Sequence, residues 1–144
     1  MPSRNQVLGL DHVVLRVRSL ETSIAFYRAV MGARIERQLQ TPRIVQLRIG
    51  ESLLDLVPGR RRKADADHNM DHFAVRVANL DAAALARKLK PFGVTPAEPK
   101  DRYGSEGYGL SIYFTDPDGN MLEFKGPATR PRIGRIARKN RDCL

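Results

Sequence analysis

The sequence predicts an α+β fold built from two similar modules in tandem. An octapeptide occurs twice, as LDHVVLRV at residues 10–17 and as MDHFAVRV at residues 70–77, 60 positions later. Each copy alternates apolar side chains at a period of two, which is typical of a β-strand, and each precedes a helical pattern and further strands. The 144 residues therefore predict one domain of two half-length modules. Its predicted parts are module one at 7–58, a linker at 59–69, module two at 70–126 and a basic tail at 127–144.

Each module has one predicted helix after its first strand. In module one, Ser19 is a typical N-cap, an apolar stripe at helical spacing follows, and Gly32 is a natural end. In module two, Asn79 or Asp81 is expected to cap a helix that runs to about Leu89. The order strand, helix, then two or three strands follows for both modules.

The later strands of each module are predicted from turn signals. Residues 44–57 alternate like a hairpin with a Gly-Glu turn at its centre. In module two, the glycine-rich residues 103–109 are expected to form a loop that leads into a strand at 110–115. The Asp-Pro-Asp-Gly sequence at 116–119 predicts a β-turn, with proline preset for its second position, and a returning strand at 121–125.

The alternation gathers polar side chains on the face opposite the core. His12 and His72 hold equivalent places in the two octapeptides and point away from the apolar positions. Glu123 stands between two core-side apolar residues of the last strand, so it faces the other way and calls for a partner. In the strand before it, Leu110 is expected to face the core with Ile112 and Phe114. The polar set predicted for the inner face is His12, His72, Glu123 and Asp55, with Tyr113, Ser111 and Gln46 near them.

Two imidazoles with one or two carboxylates form a ligand set for a first-row divalent metal ion. His12, His72 and Glu123 alone suit Fe(II) with open positions, whereas adding Asp55 also suits Zn, Ni, Co or Mn. The repeat favours a metal site, because a fold that pairs the modules by a pseudo-twofold brings both rings to one spot. The alternative interpretation is that each histidine is a hydrogen-bonded side chain on a half-buried strand.

Four segments within residues 8–126 together resemble the vicinal oxygen chelate superfamily, namely LDHVVLRV, SIAFYRAVMG, MDHFAVRV and YFTDPDGNMLEF. This superfamily includes glyoxalase I, fosfomycin-resistance and bleomycin-resistance proteins, methylmalonyl-CoA epimerase and extradiol dioxygenases. The resemblance implies paired βαβββ modules that form a cup-shaped mixed sheet, a homodimer, and metal ligation by His12, His72 and Glu123. Asp55 matches a glutamate ligand of glyoxalase I but is one methylene shorter, so the open alternatives are that it binds the metal, a metal-bound water or the substrate, or that it is a surface-facing aspartate of the strand.

The resemblance also assigns residues to the substrate. Tyr113, ten residues before Glu123, matches a tyrosine of both fosfomycin-resistance proteins and extradiol dioxygenases. The segments that begin at Ser105 and Ser111 look like the loop and strand that hold the phosphonate in fosfomycin-resistance proteins. Arg132 falls where that family has an anion-binding arginine, although prolines replace the helical context expected there.

The predicted function is that of a divalent-metal-dependent enzyme of glyoxalase, dioxygenase or fosfomycin-resistance type, which binds vicinal oxygens of a small oxygen-rich substrate at one Fe, Mn, Zn, Ni or Co ion. Asp55 or Glu123 would act as the base, Tyr113 would donate a hydrogen bond, and Gln46 would contact the substrate. The alternation also places three arginines on the inner face, namely Arg16, Arg48 and Arg76. If they lie at the mouth of the site, they would favour an anionic substrate.

The alternative function is a non-catalytic binding protein. Bleomycin-resistance relatives sequester a drug without catalysis, but they lack the metal ligands that are present here, so this alternative is disfavoured. Among the predicted enzyme types, an extradiol dioxygenase usually has four modules and an extra catalytic histidine, whereas this chain has two modules and only His68 besides the repeated pair. The dioxygenase type is therefore weakened.

Composition limits the partners and the compartment. The net charge is +9, of which residues 130–144 carry +5 from six basic side chains and one acid, leaving +4 elsewhere. Nucleic acid is a disfavoured partner, because no aromatic residue is interleaved with these charges. No segment has the length of a membrane span, and residues 1–6 lack the apolar region of a secretory signal. Cys143 is the only cysteine, which excludes an intrachain disulfide, so we expect a cytoplasmic protein.

Overall fold

The computed structural model describes residues 8, 10–59 and 70–131. It divides the chain into two compact units, residues 1–64 and 65–144, and each unit is described by itself. The predictions for the linker with His68, for Arg132 and for Cys143 lie outside the described residues. No described helix is long and apolar enough to cross a membrane.

The first unit contains one helix and one four-stranded mixed sheet. The sheet order is β1-β4-β3-β2, in which β1 is parallel to β4 and the other neighbours are antiparallel. The elements are β1 (His12–Val17), α1 (Leu20–Met31), β2 (Arg34–Gln40), β3 (Arg43–Ile49) and β4 (Ser52–Pro58).

The second unit repeats this topology with sheet order β5-β8-β7-β6, in which β5 is parallel to β8. The predicted βαβββ order is therefore confirmed in both units. The elements are β5 (His72–Arg76), α2 (Ala82–Leu89), a 3₁₀ turn (Lys90–Phe92), β6 (Lys100–Gly104), β7 (Gly107–Thr115) and β8 (Met121–Lys125).

Both helices begin at the side chains expected to cap them. The Ser19 side chain accepts a hydrogen bond from the Thr22 amide at 3.2 Å, and Gly32 ends α1 in the left-handed conformation at φ 66°. The Asp81 carboxylate accepts from the Ala84 amide at 2.9 Å, so Asp81 rather than Asn79 caps α2. Each cap satisfies an amide that has no partner inside the helix.

The alternation of the strands decides which side chains are buried. In β1, Leu15 and Val17 are buried while Val14 and Arg16 are exposed, as the period of two predicts. Burying one such aliphatic side chain stabilises the fold by roughly 1.5–3 kcal/mol. In the first unit this core includes Leu20, Phe26, Tyr27, Val30, Leu47, Leu54 and Leu56. In the second unit it includes Leu85, Leu89, Ile112, Phe114, Leu122 and Phe124.

The glycine-rich residues 103–109 are not the loop that the sequence predicts. They belong to the β6–β7 hairpin, in which Gly104 pairs with Gly107 across a two-residue turn. Gly104 leaves room for a neighbour, since a Cβ atom there would lie 2.8 Å from Cε of Lys125. The absence of a side chain at Gly104 therefore allows Lys125 to approach the backbone closely within the sheet.

Leu110 is 50% exposed, so its predicted place in the core is wrong. Strand alternation gives a side chain its direction but does not cover it. Ile112 and Phe114 on the same side of the strand are buried, so the residues that pack against β7 cover that part of its core side and not Leu110.

Candidate metal centre

In both units, the histidine and the carboxylate occupy the same positions relative to each other on two paired strands. Asp55 in β4 lies opposite the residue two positions after His12 in β1. Glu123 in β8 lies opposite the residue two positions after His72 in β5. Because a shift of two residues keeps a side chain on one face, each pair shares a face of its sheet. The two carboxylates are therefore equivalent positions of the repeat.

A third strand adds one polar side chain to each pair. Gln46 in β3 lies directly opposite Asp55, and Tyr113 in β7 lies directly opposite Glu123. Side chains directly opposite each other on antiparallel strands are close enough to interact. We call His12, Asp55 and Gln46 the first set, and His72, Glu123 and Tyr113 the second set.

The second set is closely packed. Nε2 of His72 lies 3.1 Å from Oε2 of Glu123, a residue that is only 6% exposed. The His72 and Tyr113 rings meet edge to face, with centroids 5.3 Å apart. Burial, and the nearby Glu123 carboxylate, raise the pKa of Tyr113 above its usual value of 10, while Arg102 acts in the opposite direction. The Tyr113 phenol is therefore a hydrogen-bond donor at neutral pH.

His72 lies between two carboxylates, because its Nδ1 is also 2.6 Å from Oδ2 of Asp71. An ionised carboxylate only accepts hydrogen bonds, and a neutral imidazole has only one N–H. The contact between His72 and Glu123 therefore needs a second proton or a cation. Nitrogen and oxygen ligands at about 2.1 Å from one metal ion lie about 3 Å apart in adjacent positions. The second set thus fits two ligands of a first-row divalent metal.

The first set leaves one acceptor atom without a partner. Asp55 is 7% exposed, and its Oδ2 accepts a hydrogen bond from Nε2 of Gln46 at 3.0 Å. Its Oδ1 is buried and has no hydrogen-bond partner among the described residues. A buried carboxylate oxygen is costly to leave unpaired. Oδ1 of Asp55 is therefore an atom that a cation or a hydroxyl group would stabilise.

His12 also has its ring held by a neighbouring acid. Its Nδ1 lies 2.7 Å from Oδ2 of Asp11. This hydrogen bond is the main reason why the pKa of His12 is raised above 6.5; burial lowers it, and the Asp55 and Asp11 charges also raise it. Asp11 and Asp71 are not among the residues predicted for the site, although the repeated Asp-His dipeptide is a visible signal in the sequence.

The structure brings together His72, Glu123 and Tyr113 in the second unit, and Asp55 and Gln46 in the first unit. Within the described parts of either unit, no three His, Cys, Asp or Glu side chains converge as metal ligands. His12 and His72 belong to different units. The four-residue ligand set of His12, His72, Glu123 and Asp55 therefore stays a prediction.

The predicted substrate residues differ in their exposure. Ser105 is exposed in the β6–β7 turn, whereas Ser111 is buried and its hydroxyl has no partner in the described part of the chain. Ser111 pairs in register with Lys125, a residue that sequence analysis did not select. The Lys125 ammonium is buried and donates to the carbonyl oxygens of Arg102 and Gly109 at 2.8 and 2.7 Å. A fixed positive charge thus lies two residues beyond Glu123 on the same face.

The three arginines predicted for the inner face are poorer candidates than Lys125 for binding an anion. Arg48 donates two hydrogen bonds to the Glu36 carboxylate, each of 2.7 Å, and Arg76 forms an ion pair with Glu106. Arg16 is exposed. Because two of these three cations already have carboxylate partners, Lys125 is the better candidate for contact with an anionic group.

Comparison with known proteins agrees with this topology. Residues 9–124 match the family model described as the Glyoxalase/Bleomycin resistance protein/Dioxygenase superfamily. The chain is 29% identical over 119 residues to the metallothiol transferase FosB of Bacillus licheniformis, covering 83% of this chain and 75% of that protein. It is 27% identical over 135 residues to the fosfomycin resistance protein FosX of Mesorhizobium japonicum, covering 90% and 94% respectively.

A solved structure with the same fold comes from Vibrio cholerae. It is the integron cassette protein VCH_CASS1, which is 26% identical, with a TM-score of 0.67 over 85% of this chain and 98% of that chain. The resemblance in sequence, the repeated βαβββ order and the family match all agree. The chain belongs to the glyoxalase, bleomycin resistance protein and dioxygenase superfamily.

Proposed function

We propose that this chain is a divalent-metal-dependent enzyme that acts on a small, oxygen-rich, anionic substrate. The observation that carries the proposal is the 3.1 Å contact between Nε2 of His72 and Oε2 of Glu123, in a ring whose Nδ1 is already held by Asp71. That arrangement needs a second proton or a cation, and His72 and Glu123 are a suitable nitrogen and oxygen pair for a metal cation. His12 and Asp55 would complete the ligand set.

A bound metal would act as a Lewis acid, which stabilises negative charge that develops on a substrate oxygen. The protonated Tyr113 phenol would donate a hydrogen bond to the same region of the substrate. The Ser111 hydroxyl and the Lys125 ammonium would hold an anionic group further along the face. Exposed Ser105 is a candidate contact at the edge of that region.

Asp55 has the geometry of a proton acceptor. Its Oδ2 is fixed by Gln46, which leaves the buried Oδ1 to take a proton or to orient a nucleophile. If Asp55 binds the metal instead, Glu123 is the remaining candidate base. The two roles are separated by metal content, since loss of a base leaves the metal in place.

Fosfomycin is the first substrate to test, because curated relatives include a fosfomycin resistance protein and a metallothiol transferase. Opening of its epoxide by a thiol or by water breaks one C–O bond and forms one C–S or C–O bond. The proton of the nucleophile goes to the ring oxygen. Phosphorus NMR with glutathione, cysteine or water as nucleophile would detect each product.

The metal site itself is tested by metal content. Wild type, His72→Ala and Glu123→Ala would be loaded anaerobically with Fe(II), Mn(II), Co(II), Ni(II) or Zn(II) and then desalted. The proposal expects about one metal per complete site in wild type and strong loss in both variants. Glu98→Ala, which removes an exposed acid outside both sets, is the matched control. If the wild-type protein retains none of the five metals, the proposal of a metal-dependent enzyme is wrong. The remaining candidate function would then be a non-catalytic binding protein.

We also propose a homodimer, which supports the same function if a complete ligand set is shared between copies. Sedimentation equilibrium would measure the mass. Mixing His12→Ala with His72→Ala chains under exchange conditions would restore metal in a fraction of the sites only if one site takes these histidines from two chains.

A further inference from the structure

We infer that Asp11 and Asp71 are positioning residues, which set the tautomer of His12 and His72 so that Nε2 of each ring is the ligating nitrogen. This inference rests on the proposed function, because it assigns the atoms through which the two histidines bind a metal. Its observations are the two contacts between Nδ1 and Oδ2, 2.7 Å at His12 and 2.6 Å at His72.

The protonation follows from the chemistry of the two groups. An ionised carboxylate has no hydrogen to donate, so the proton of each contact belongs to the imidazole Nδ1. In a neutral imidazole the other nitrogen, Nε2, then carries a lone pair. A carboxylate on the far nitrogen of a metal-binding histidine fixes the ring orientation and makes the ligand more basic. In both Asp-His pairs the carboxylate lies on Nδ1, so Nε2 is the nitrogen that faces away from the aspartate.

The place of the aspartates in the chain makes these contacts possible. His12 and His72 are the first residues of β1 and β5, so Asp11 and Asp71 lie just before each strand. Inside a strand, consecutive side chains point to opposite faces and would not meet. The contact between consecutive aspartate and histidine side chains occurs at the equivalent strand ends of both units. This repetition indicates a shared role.

Core packing does not account for the two acids. The Asp11 and Asp71 side chains are 90% and 91% exposed, so neither fills the core. In contrast, the carboxylates on the neighbouring strands differ between the units, since Glu123 contacts His72 directly whereas Asp55 accepts a hydrogen bond from Gln46. The feature kept in both units is the aspartate on Nδ1.

The test reads the tautomer in the metal-free protein. Nitrogen-15-labelled histidine would be observed through two-bond proton–nitrogen NMR at about pH 8.5, with His68→Gln as background to remove the third signal. We expect Nδ1 of both rings to be protonated and Nε2 of His12 to be unprotonated. Asp11→Ala should give His12 a mixed or Nε2–H tautomer and leave His72 unchanged, and Asp71→Ala should change the Nδ1 protonation of His72 alone.

The conservative variants separate positioning from charge. Asp11→Asn keeps an oxygen that can accept from Nδ1, so it should keep most of the wild-type tautomer. Metal affinity should fall about 10- to 100-fold in each alanine variant and less in each asparagine variant. Glu98→Ala, in the same background, should change neither measurement.

The outcomes distinguish the inference from the proposed function. A His12 ring in the Nε2–H form in wild type, or a tautomer unaffected by Asp11→Ala, would overturn the inference even if metal binds. The expected tautomers with no metal bound under any condition would support the positioning by aspartate and overturn the proposed function. Circular dichroism of each variant would verify that it is folded.

Discussion

The first and second sets show how one topology produces two different groups of contacts. Both place a histidine, a carboxylate and a polar side chain at the same register positions of equivalent sheets. In the second set the longer Glu123 side chain reaches His72 at 3.1 Å, whereas Asp55 in the first set is hydrogen-bonded to Gln46 at 3.0 Å. One methylene group and the choice of Tyr113 or Gln46 therefore decide which neighbour the carboxylate contacts.

The comparison suggests that the two sets have different roles. The second set holds a histidine and a carboxylate close enough to share a cation. The first set keeps a buried carboxylate oxygen without a partner in the described residues, and so it is better prepared to take a proton or a ligand. Four predictions test this distinction.

The largest expected effect comes from removing the carboxylate of the second set. Glu123→Ala should lower metal affinity by about 100-fold or more, because a ligand is lost and not only its orientation. Asp55→Ala should lower it less if the first set serves mainly as an acceptor. Isothermal titration with the metal that wild type prefers would measure both. Equal losses would show that the two carboxylates are equivalent ligands.

Exchanging the lengths of the carboxylates should exchange the contacts. Glu123→Asp shortens the side chain, so the contact with His72 should open and metal affinity should fall about tenfold. Asp55→Glu should bring a carboxylate oxygen closer to His12 and offset part of that loss in the double variant. A double variant no better than Glu123→Asp alone would show that side-chain length does not explain the difference.

The hydrogen bond between Gln46 and Asp55 should contribute to stability in the metal-free protein. Gln46→Leu leaves both carboxylate oxygens of Asp55 unpaired, and we expect a loss of about 1–3 kcal/mol in the free energy of unfolding. Tyr113→Phe is the matched change in the second set. Urea unfolding would compare them, with Asp55→Leu combined with Gln46→Leu as control. That double variant should recover part of the loss, because it removes the unpaired carboxylate.

The smallest expected effect concerns the pH dependence of His12. The Asp11 carboxylate, through its hydrogen bond and charge, stabilises the imidazolium and raises the pKa of His12 above 6.5. Asp11→Asn should therefore lower that pKa, so that His12 loses its proton at lower pH. Proton NMR of the metal-free protein over pH 5–9 would follow the ring signal. An unchanged or higher pKa of His12 would contradict the assigned hydrogen bond.

Much of the fold followed from residues close together in the chain. The repeated octapeptide, the Ser19 cap and the Asp-Pro-Asp-Gly turn predicted the βαβββ order, which both units confirm. The glycine-rich residues 103–109 were misread, because composition alone does not distinguish a loop from a hairpin in which Gly104 makes room for Lys125. Leu110 was misread, because alternation gives the direction of a side chain but not whether other residues cover it.

The sequence by itself determined which side chains share a face, because the period of two in a strand is a local property of the backbone. It thereby selected His12, His72, Asp55, Glu123, Tyr113, Ser111 and Gln46 as inner-face candidates. Which of these side chains are in contact depends on the pairing of strands in the tertiary structure. The pairing of β5 with β8 joins residues about 50 positions apart, and it sets the distance from His72 to Glu123. Contacts across strands depend on register and side-chain length together, and local periodicity specifies neither.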